Sequence, residues 1–258
     1  VKKGKITLEL LDILKIPYEV LPESIEETEA IVKKAMGHCE KENSPFALVV
    51  KKNTFEPYEL KRKKETDYPL TREEAIKTIT NLLDEKDVII STTGKASREL
   101  FEFREENGQS HEKDFLTVGS MGHSSSIALG AALEKPDTIV YCFDGDGSLI
   151  MHMGALSTIG KLQPKNFKHI VFNNFAHDSV GGQPTAGDLI DIPTIAKANG
   201  YKEAFSCLTK EELKESIIKI KAMSGPVLLE VKVNKGARKD LGRPTSTPIE
   251  NKKNFMGM

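Results

Sequence analysis

Thr138-Ile-Val-Tyr-Cys-Phe-Asp-Gly-Asp-Gly-Ser148 and His169-Ile-Val-Phe-Asn-Asn174 decide the reading of this chain. Each opens on an apolar run of strand length and ends in polar residues, as a buried strand does where it runs into a loop. Twenty-five residues separate Gly147 from Asn173. In an open α/β sheet, two polar clusters at strand carboxyl ends can converge on one ligand, because ligands bind in the crevice just beyond those ends. A carboxylate, two amides, tight-turn glycines and a serine suit a hard cation holding a phosphate. Magnesium takes one or two protein oxygens and completes its octahedron with phosphate oxygens and water. Gly145-Asp146-Gly147 taken alone also fits an ordinary turn. A calcium-loop reading of the segment from Asp144 fails, because Leu149 stands where that loop needs glycine and Ala155 where it needs glutamate.

Outward from these motifs, strand and helix signals alternate. Thr71 with Glu74 forms a capping box before a helix over 71–83, and a strand follows at 87–90. The polar stretch Ser91-Thr-Thr-Gly-Lys-Ala-Ser97 opens into a helix, followed by a strand at 115–118 and a helix at 124–133. Beyond the two motif strands, Asp191 caps a helix that Gly200 closes, Thr209 with Glu212 caps another, and 227–233 is the last strand. This alternation predicts an α/β fold with a mainly parallel, doubly wound sheet and helices on both faces. Ahead of it, 1–52 reads as a partial second α/β domain: a helical pattern at 7–14, a strand at 16–21, a helix from Ser24 with Glu27 as capping box to about Glu40, and a buried strand at 46–50. It has too little apolar surface to form a sheet of its own. Residues 53–70, rich in Lys and Glu with Pro57 and Pro69, read as an exposed linker. The basic run Lys61-Arg-Lys-Lys64 inside it reads as solvated. The main domain spans 71–234, and 235–258 reads as an ordered loop or tail, neither helix nor strand.

A formal charge of −1 over 258 residues argues against non-specific nucleic-acid binding, which needs a basic surface. Three scattered cysteines form neither a disulfide framework nor a metal signature, so a reducing cytosol is the expected home. No apolar run reaches membrane-spanning length, no signal peptide is visible, and no membrane partner is expected. A P-loop reading of Thr92-Thr-Gly-Lys95 fails, since Ile89 and Ala96 occupy the positions that need Gly and Ser or Thr. Lys95 reads equally as a solvated helix-start lysine or an anion contact.

The spacing of Gly145-Asp146-Gly147 and Asn173-Asn174 resembles the cofactor motif of thiamine diphosphate-dependent 2-oxo acid decarboxylases. The resemblance covers about residues 70–234, with further support from Gly119-Ser-Met-Gly-His-Ser-Ser-Ser126, Gly181-Gly-Gln-Pro-Thr185 and Asp240-Leu-Gly-Arg-Pro-Thr245. It makes 71–234 the pyrophosphate-binding domain and 1–52 the end of a pyrimidine-binding domain. It implies that Asp146 and Asn174 ligate Mg²⁺ with the Ala176 carbonyl, and that Gly145, Gly147 and Ser148 border the diphosphate at a helix start. Thr93 and Gly94 would contact the diphosphate, the Gly119 carbonyl would accept from the cofactor's amino group, and Met121 would wedge between its rings. His123 and His177, in flanking loops, are the candidate acid–base groups. Arg238 and Arg243, with Lys235, are candidates for a substrate anion.

The implied reaction is non-oxidative decarboxylation of a small 2-oxo acid with a second anionic group. The segments match most closely those enzymes acting on phosphonopyruvate, with sulfopyruvate as the alternative; a thiamine diphosphate-binding subunit without catalysis is a further one. The family's activating glutamate lies on the pyrimidine domain and is expected upstream of Val1. A fragment that does not turn over alone is therefore the expectation, as is a homo-oligomer of at least two subunits with the site at the subunit interface.

Overall fold

The computed structural model describes residues 2–58 and 65–257. The run at 61–64 therefore lies outside the described residues. The chain divides into two compact units, Val1–Arg62 and Lys63–Met258. The smaller unit carries α1 (Lys2–Lys5), α2 (Thr7–Ile13), β1 (Tyr18–Val20), α3 (Ile25–Glu42) and β2 (Ala47–Val49). Strands β1 and β2 pair in parallel, Tyr18 opposite Ala47. Ser24 caps α3 by accepting the Glu27 N–H. Strand β2 is half-exposed rather than buried as the apolar run suggested: α3 packs against this two-stranded ribbon, and Leu48 faces outward.

The larger unit is built on β3 (Val88–Ser91), β4 (Asp114–Leu116), β5 (Val140–Gly145), β6 (Phe167–Asn173), β9 (Glu203–Cys207) and β10 (Val227–Lys232). These six form one sheet in the order β4-β3-β5-β6-β10-β9, every pairing parallel. A minor antiparallel pair, β7 (Ala176–His177) and β8 (Gln183–Pro184), lies in the loop after β6. Side chains alternate across the sheet with period two. Ile89, Tyr141, Phe143, Ile170, Phe172, Leu229 and Val231 face one layer, made by α4 (Arg72–Thr80), α5 (Lys95–Glu106) and α10 (Lys210–Ala222). Val88, Ile90, Val140, Cys142, Val171 and Leu228 face the other, made by α6 (Ser124–Glu134), α8 (Ala155–Leu162), α9 (Ile192–Ala198) and α11 (Pro248–Met256). The short α7 (Asp146–Met151) starts directly from the end of β5. The capping boxes at Thr71/Glu74 and Thr209/Glu212 both form.

The expectation that 235–258 holds neither helix nor strand is overturned. Thr247 and Glu250 make a third complete capping box, with Pro248 at the first helical position, and α11 follows. Phe255 of α11 packs edge-on against Phe115, and the Asn251 amide accepts from the Leu116 N–H and donates to the Asp114 carbonyl. The helix thereby covers β4, an edge strand whose backbone would otherwise lack partners. Nor is 65–70 wholly exposed. Leu70 is buried, and Tyr68 and Leu70 bond with Asn234 just past the end of β10.

Candidate active site

The sheet order reverses between β3 and β5: one connection leads from β3 to β4, the other from β5 to β6 on the opposite side. Loops leaving the carboxyl ends of neighbouring strands part there and open a crevice. Thr92 and Thr93 after β3, Gly145 to Ser148 at the end of β5, and Asn174 with 176–179 after β6 line it, joined by Arg72, Lys95 and Met121.

Asp146, the first residue of α7, is 1% exposed. Burial pushes its carboxyl above the ordinary range, opposed by donors from the Thr185 hydroxyl and the backbone N–H groups of Gly147 and Asn174. The two ends of the motif pair therefore line the same crevice. Asn174 is buried; its side-chain oxygen accepts from Ala176 N–H at 3.1 Å and its nitrogen donates to Asp178 Oδ2 at 2.6 Å. Asn173 does different work. Its amide nitrogen donates to the Gly187 carbonyl at 2.9 Å and to Glu230 Oε1 at 2.7 Å, so it braces the loop from beneath.

Glycines keep this crevice tight. A methyl group on Gly187 would sit 2.7 Å from both Asp146 Oδ2 and Asn173 Oδ1. One on Gly147 would strike the His177 ring, and one on Gly94 would lie 2.9 Å from Ser179 Cβ. Gly94 also has φ +107°, a region that favours glycine. Hydroxyls stitch the three loops together. Ser148 Oγ meets Thr92 Oγ1 and Gly122 N–H, each at 3.0 Å, and Thr93 Oγ1 accepts Gly119 N–H at 3.1 Å.

The structure thus brings together Thr93, Met121, Gly145, Asp146, Gly147, Ser148, Asn174, Ala176 and His177. Gly94 caps α5 at the rim, and Gly119 joins through Thr93. His123 does not line the crevice: it is exposed and stacks on His152 at 4.1 Å between ring centroids. Neither Arg238 nor Arg243 lines it. Arg238 is held by Glu73, Glu102 and Asp240, while Arg243 is exposed. The sequence reading missed Arg72, Asp178 and Thr185. Asp178 lies only four residues past Asn174, but its partners Arg72 and Gly236 are remote in sequence. A buried group of Cys142, Asp144 and His169 sits on β5 and β6, with both His169 nitrogens occupied by Asp144 and Tyr201.

Fold and crevice together define an open α/β domain with a buried, oxygen-rich crevice at its switch point. Residues 92–231 match the family model described as thiamine pyrophosphate enzyme, C-terminal TPP binding domain, and the chain belongs to the thiamine pyrophosphate enzyme family. It is 29% identical to a phosphonopyruvate decarboxylase of Streptomyces viridochromogenes, over 98% of this chain and 66% of that protein. It is 33% identical to the sulfopyruvate decarboxylase subunit beta of Methanococcus maripaludis, over 72% of this chain and 96% of that protein. Among solved structures, benzoylformate decarboxylase from Polynucleobacter necessarius superposes with a TM-score of 0.58 at 18% identity, over 72% of this chain and 37% of that one. The chain therefore spans only part of the length of the phosphonopyruvate decarboxylase it matches. No helix among the described residues is long and apolar enough to cross a membrane.

Proposed function

We propose that this chain is the pyrophosphate-binding part of a thiamine diphosphate- and Mg²⁺-dependent decarboxylase acting on a small 2-oxo acid with a second anionic group, phosphonopyruvate first. The observation that carries the reading is the meeting of Asp146 and Asn174 in one buried crevice. The donor set fits the ion. The Asp146 carboxylate, the Asn174 amide oxygen and the Ala176 carbonyl are hard oxygens, which magnesium prefers. Glycines at 147 and 187 let the His177 ring and the Asp146 carboxylate pack close against the backbone, which holds both at the crevice. When bound, the cofactor supplies the electron sink for cleaving the bond to the carboxylate.

The residues of this chain bind, orient and exclude water. Gly147 and Ser148, at the start of α7, border the diphosphate, with Thr93 and Gly94 across from them. The Thr185 hydroxyl holds the Asp146 carboxylate in place, and a divalent ion would offset the burial that raises its pKa. Met121, half-buried on the crevice wall, supports the cofactor rings. His177, packed over Gly147, is the histidine of this chain best placed to hold or move a proton. Arg243 is the tail candidate for the substrate's second anion, because Arg238 is already neutralised by carboxylates. The second reading, sulfopyruvate as substrate, is supported by the likeness to the Methanococcus subunit along nearly its whole length. We place the working site at a subunit interface of a homo-oligomer in the cytoplasm.

The test is a substrate panel with the full-length polypeptide, thiamine diphosphate and Mg²⁺. CO₂ release should be fastest from phosphonopyruvate, slower from sulfopyruvate and slowest from pyruvate. The same order should hold with Mg²⁺ omitted only at a much lower rate. Faster turnover of pyruvate than of either dianionic acid would overturn the substrate class.

A further inference from the structure

We propose that Asp178 is a positioning residue for the cation: it decides which end of the Asn174 amide faces the crevice. This rests on the reading that Asp146 and Asn174 share a divalent ion. An asparagine side chain has two ends of nearly the same shape, an oxygen that ligates metals and an NH₂ that only donates hydrogen bonds. A site that depends on the oxygen needs something to reject the flipped form.

Asp178 Oδ2 lies 2.6 Å from the Asn174 nitrogen. A carboxylate accepts and does not donate, so the amide end turned toward Asp178 must be the nitrogen. The oxygen is then left on the other side, where it takes the Ala176 N–H at 3.1 Å and keeps a second lone pair for the ion. Flipping the amide would set oxygen against carboxylate, and nitrogen against an N–H.

The Asp178 carboxylate is itself fixed. The same Oδ2 accepts from Arg72 Nη1 at 3.1 Å and from Gly236 N–H at 2.9 Å. Arg72 forks onto Glu99 with two bonds of 2.8 Å, and its Nη2 reaches the Gly236 carbonyl at 3.2 Å. The side chains of Arg72 and Asp178 are each 8% exposed, and that of Glu99 only 1%. With one cation between two anions, this cluster carries a formal charge of −1 beside the cation cradle, which favours a divalent ion. Partners behind metal ligands typically change metal affinity by about 10–100-fold when removed.

Calorimetric titration of Mg²⁺ into the full-length polypeptide with saturating thiamine diphosphate tests this. Three variants are compared: Asp178→Ala, Asn174→Asp and the double. Asp178→Ala removes the acceptor, so the amide at 174 loses its selector. Asn174→Asp gives position 174 two identical oxygens, with nothing left to select, but places two carboxylates at hydrogen-bond distance. Adding Asp178→Ala to it removes that repulsion. Asp178→Ala should weaken Mg²⁺ binding about 10-fold or more in the parent, yet leave it unchanged or tighter in the Asn174→Asp background. A role limited to packing predicts instead the same loss in both. The proposal fails if Asp178→Ala binds Mg²⁺ within twofold of the parent, or if it weakens the Asn174→Asp variant as much as it weakens the parent. A parent polypeptide that binds thiamine diphosphate with no Mg²⁺ dependence removes the cation site itself, and that result precedes any variant.

Discussion

Asp146 is a buried acid placed by the fold where its charge is unfavourable. Its pKa is raised because burial outweighs the donors around it, so the folded chain takes up a proton more readily than the unfolded one. The sign follows. Above the raised folded pKa the ionised carboxylate lowers stability; as pH falls through that value toward the ordinary 3.8, the penalty is relieved. Asp146→Asn should therefore raise the melting temperature of the metal-free protein at pH 7, by about 2–4 °C per kcal/mol relieved. The advantage should shrink as pH falls through the raised folded pKa and the parent protonates. The same variant should lose the upward shift that Mg²⁺ and thiamine diphosphate give the parent. Thermal melts across pH, with and without both ligands, read all three effects; a variant that melts below the parent at pH 7 counts against them. Much of this site was legible at the residue scale. Gly-Asp-Gly and Asn-Asn are local words, and a strand signal before each says where they lie. Asp178 and Arg72 were not legible, because a carboxylate that orients an amide leaves no local pattern: its partners come from α4 and from the segment after β10.

Two element-level features set how the layers hold together. Arg72 on α4 and Glu99 on α5 form a buried pair that joins the helices at the crevice edge. Arg72→Met should strand Glu99, whose pKa burial already raises, and destabilise the domain by about 3–5 kcal/mol. Adding Glu99→Leu should recover part of that loss, because Glu99 is then no longer a lone buried charge, while Asp178 still lacks its Arg72 partner. Urea unfolding of the single and double variants measures both; a single variant as stable as the parent would show the pair to be dispensable. On the opposite face, Gly160 of α8 lies against the turn that ends α9. A methyl group there would run into the Asn199 carbonyl, a backbone atom that cannot swing away. Gly160→Ala should cost at least about 1–3 kcal/mol by overpacking, seen as a lower urea midpoint. The helix signals that succeeded here were the capping boxes at Thr71 and Thr209. The same code at Thr247-Pro-Ile-Glu250 was overlooked because Pro, Gly and basic residues surround it, and α11 buries only Asn251 and Phe255. Composition outvoted a correct local signal.

At the scale of the molecule, the sheet type was readable because buried parallel strands are near-continuous apolar runs, and 138–143, 169–172 and 227–233 are so apart from Thr138, His169, Glu230 and Lys232. The strand order and the edge were not readable, since register among such uniform strands is set by the helices between them. The edge is where the last helix acts. Removing residues 248–258 should expose the β4 backbone and the Phe115 ring, speed amide exchange in Leu116 and promote association. Asn251→Ala should lose two buried hydrogen bonds, worth about 1–3 kcal/mol together. Hydrogen exchange and light scattering on these variants test it; unchanged protection at Leu116 would mean that another group shields the strand. For anyone handling the protein, the amide of Asn251 makes α11 a poor place to join a purification tag or reporter. A fusion there pulls on the plug that seals the sheet, so fluorescence or affinity handles belong elsewhere on the surface.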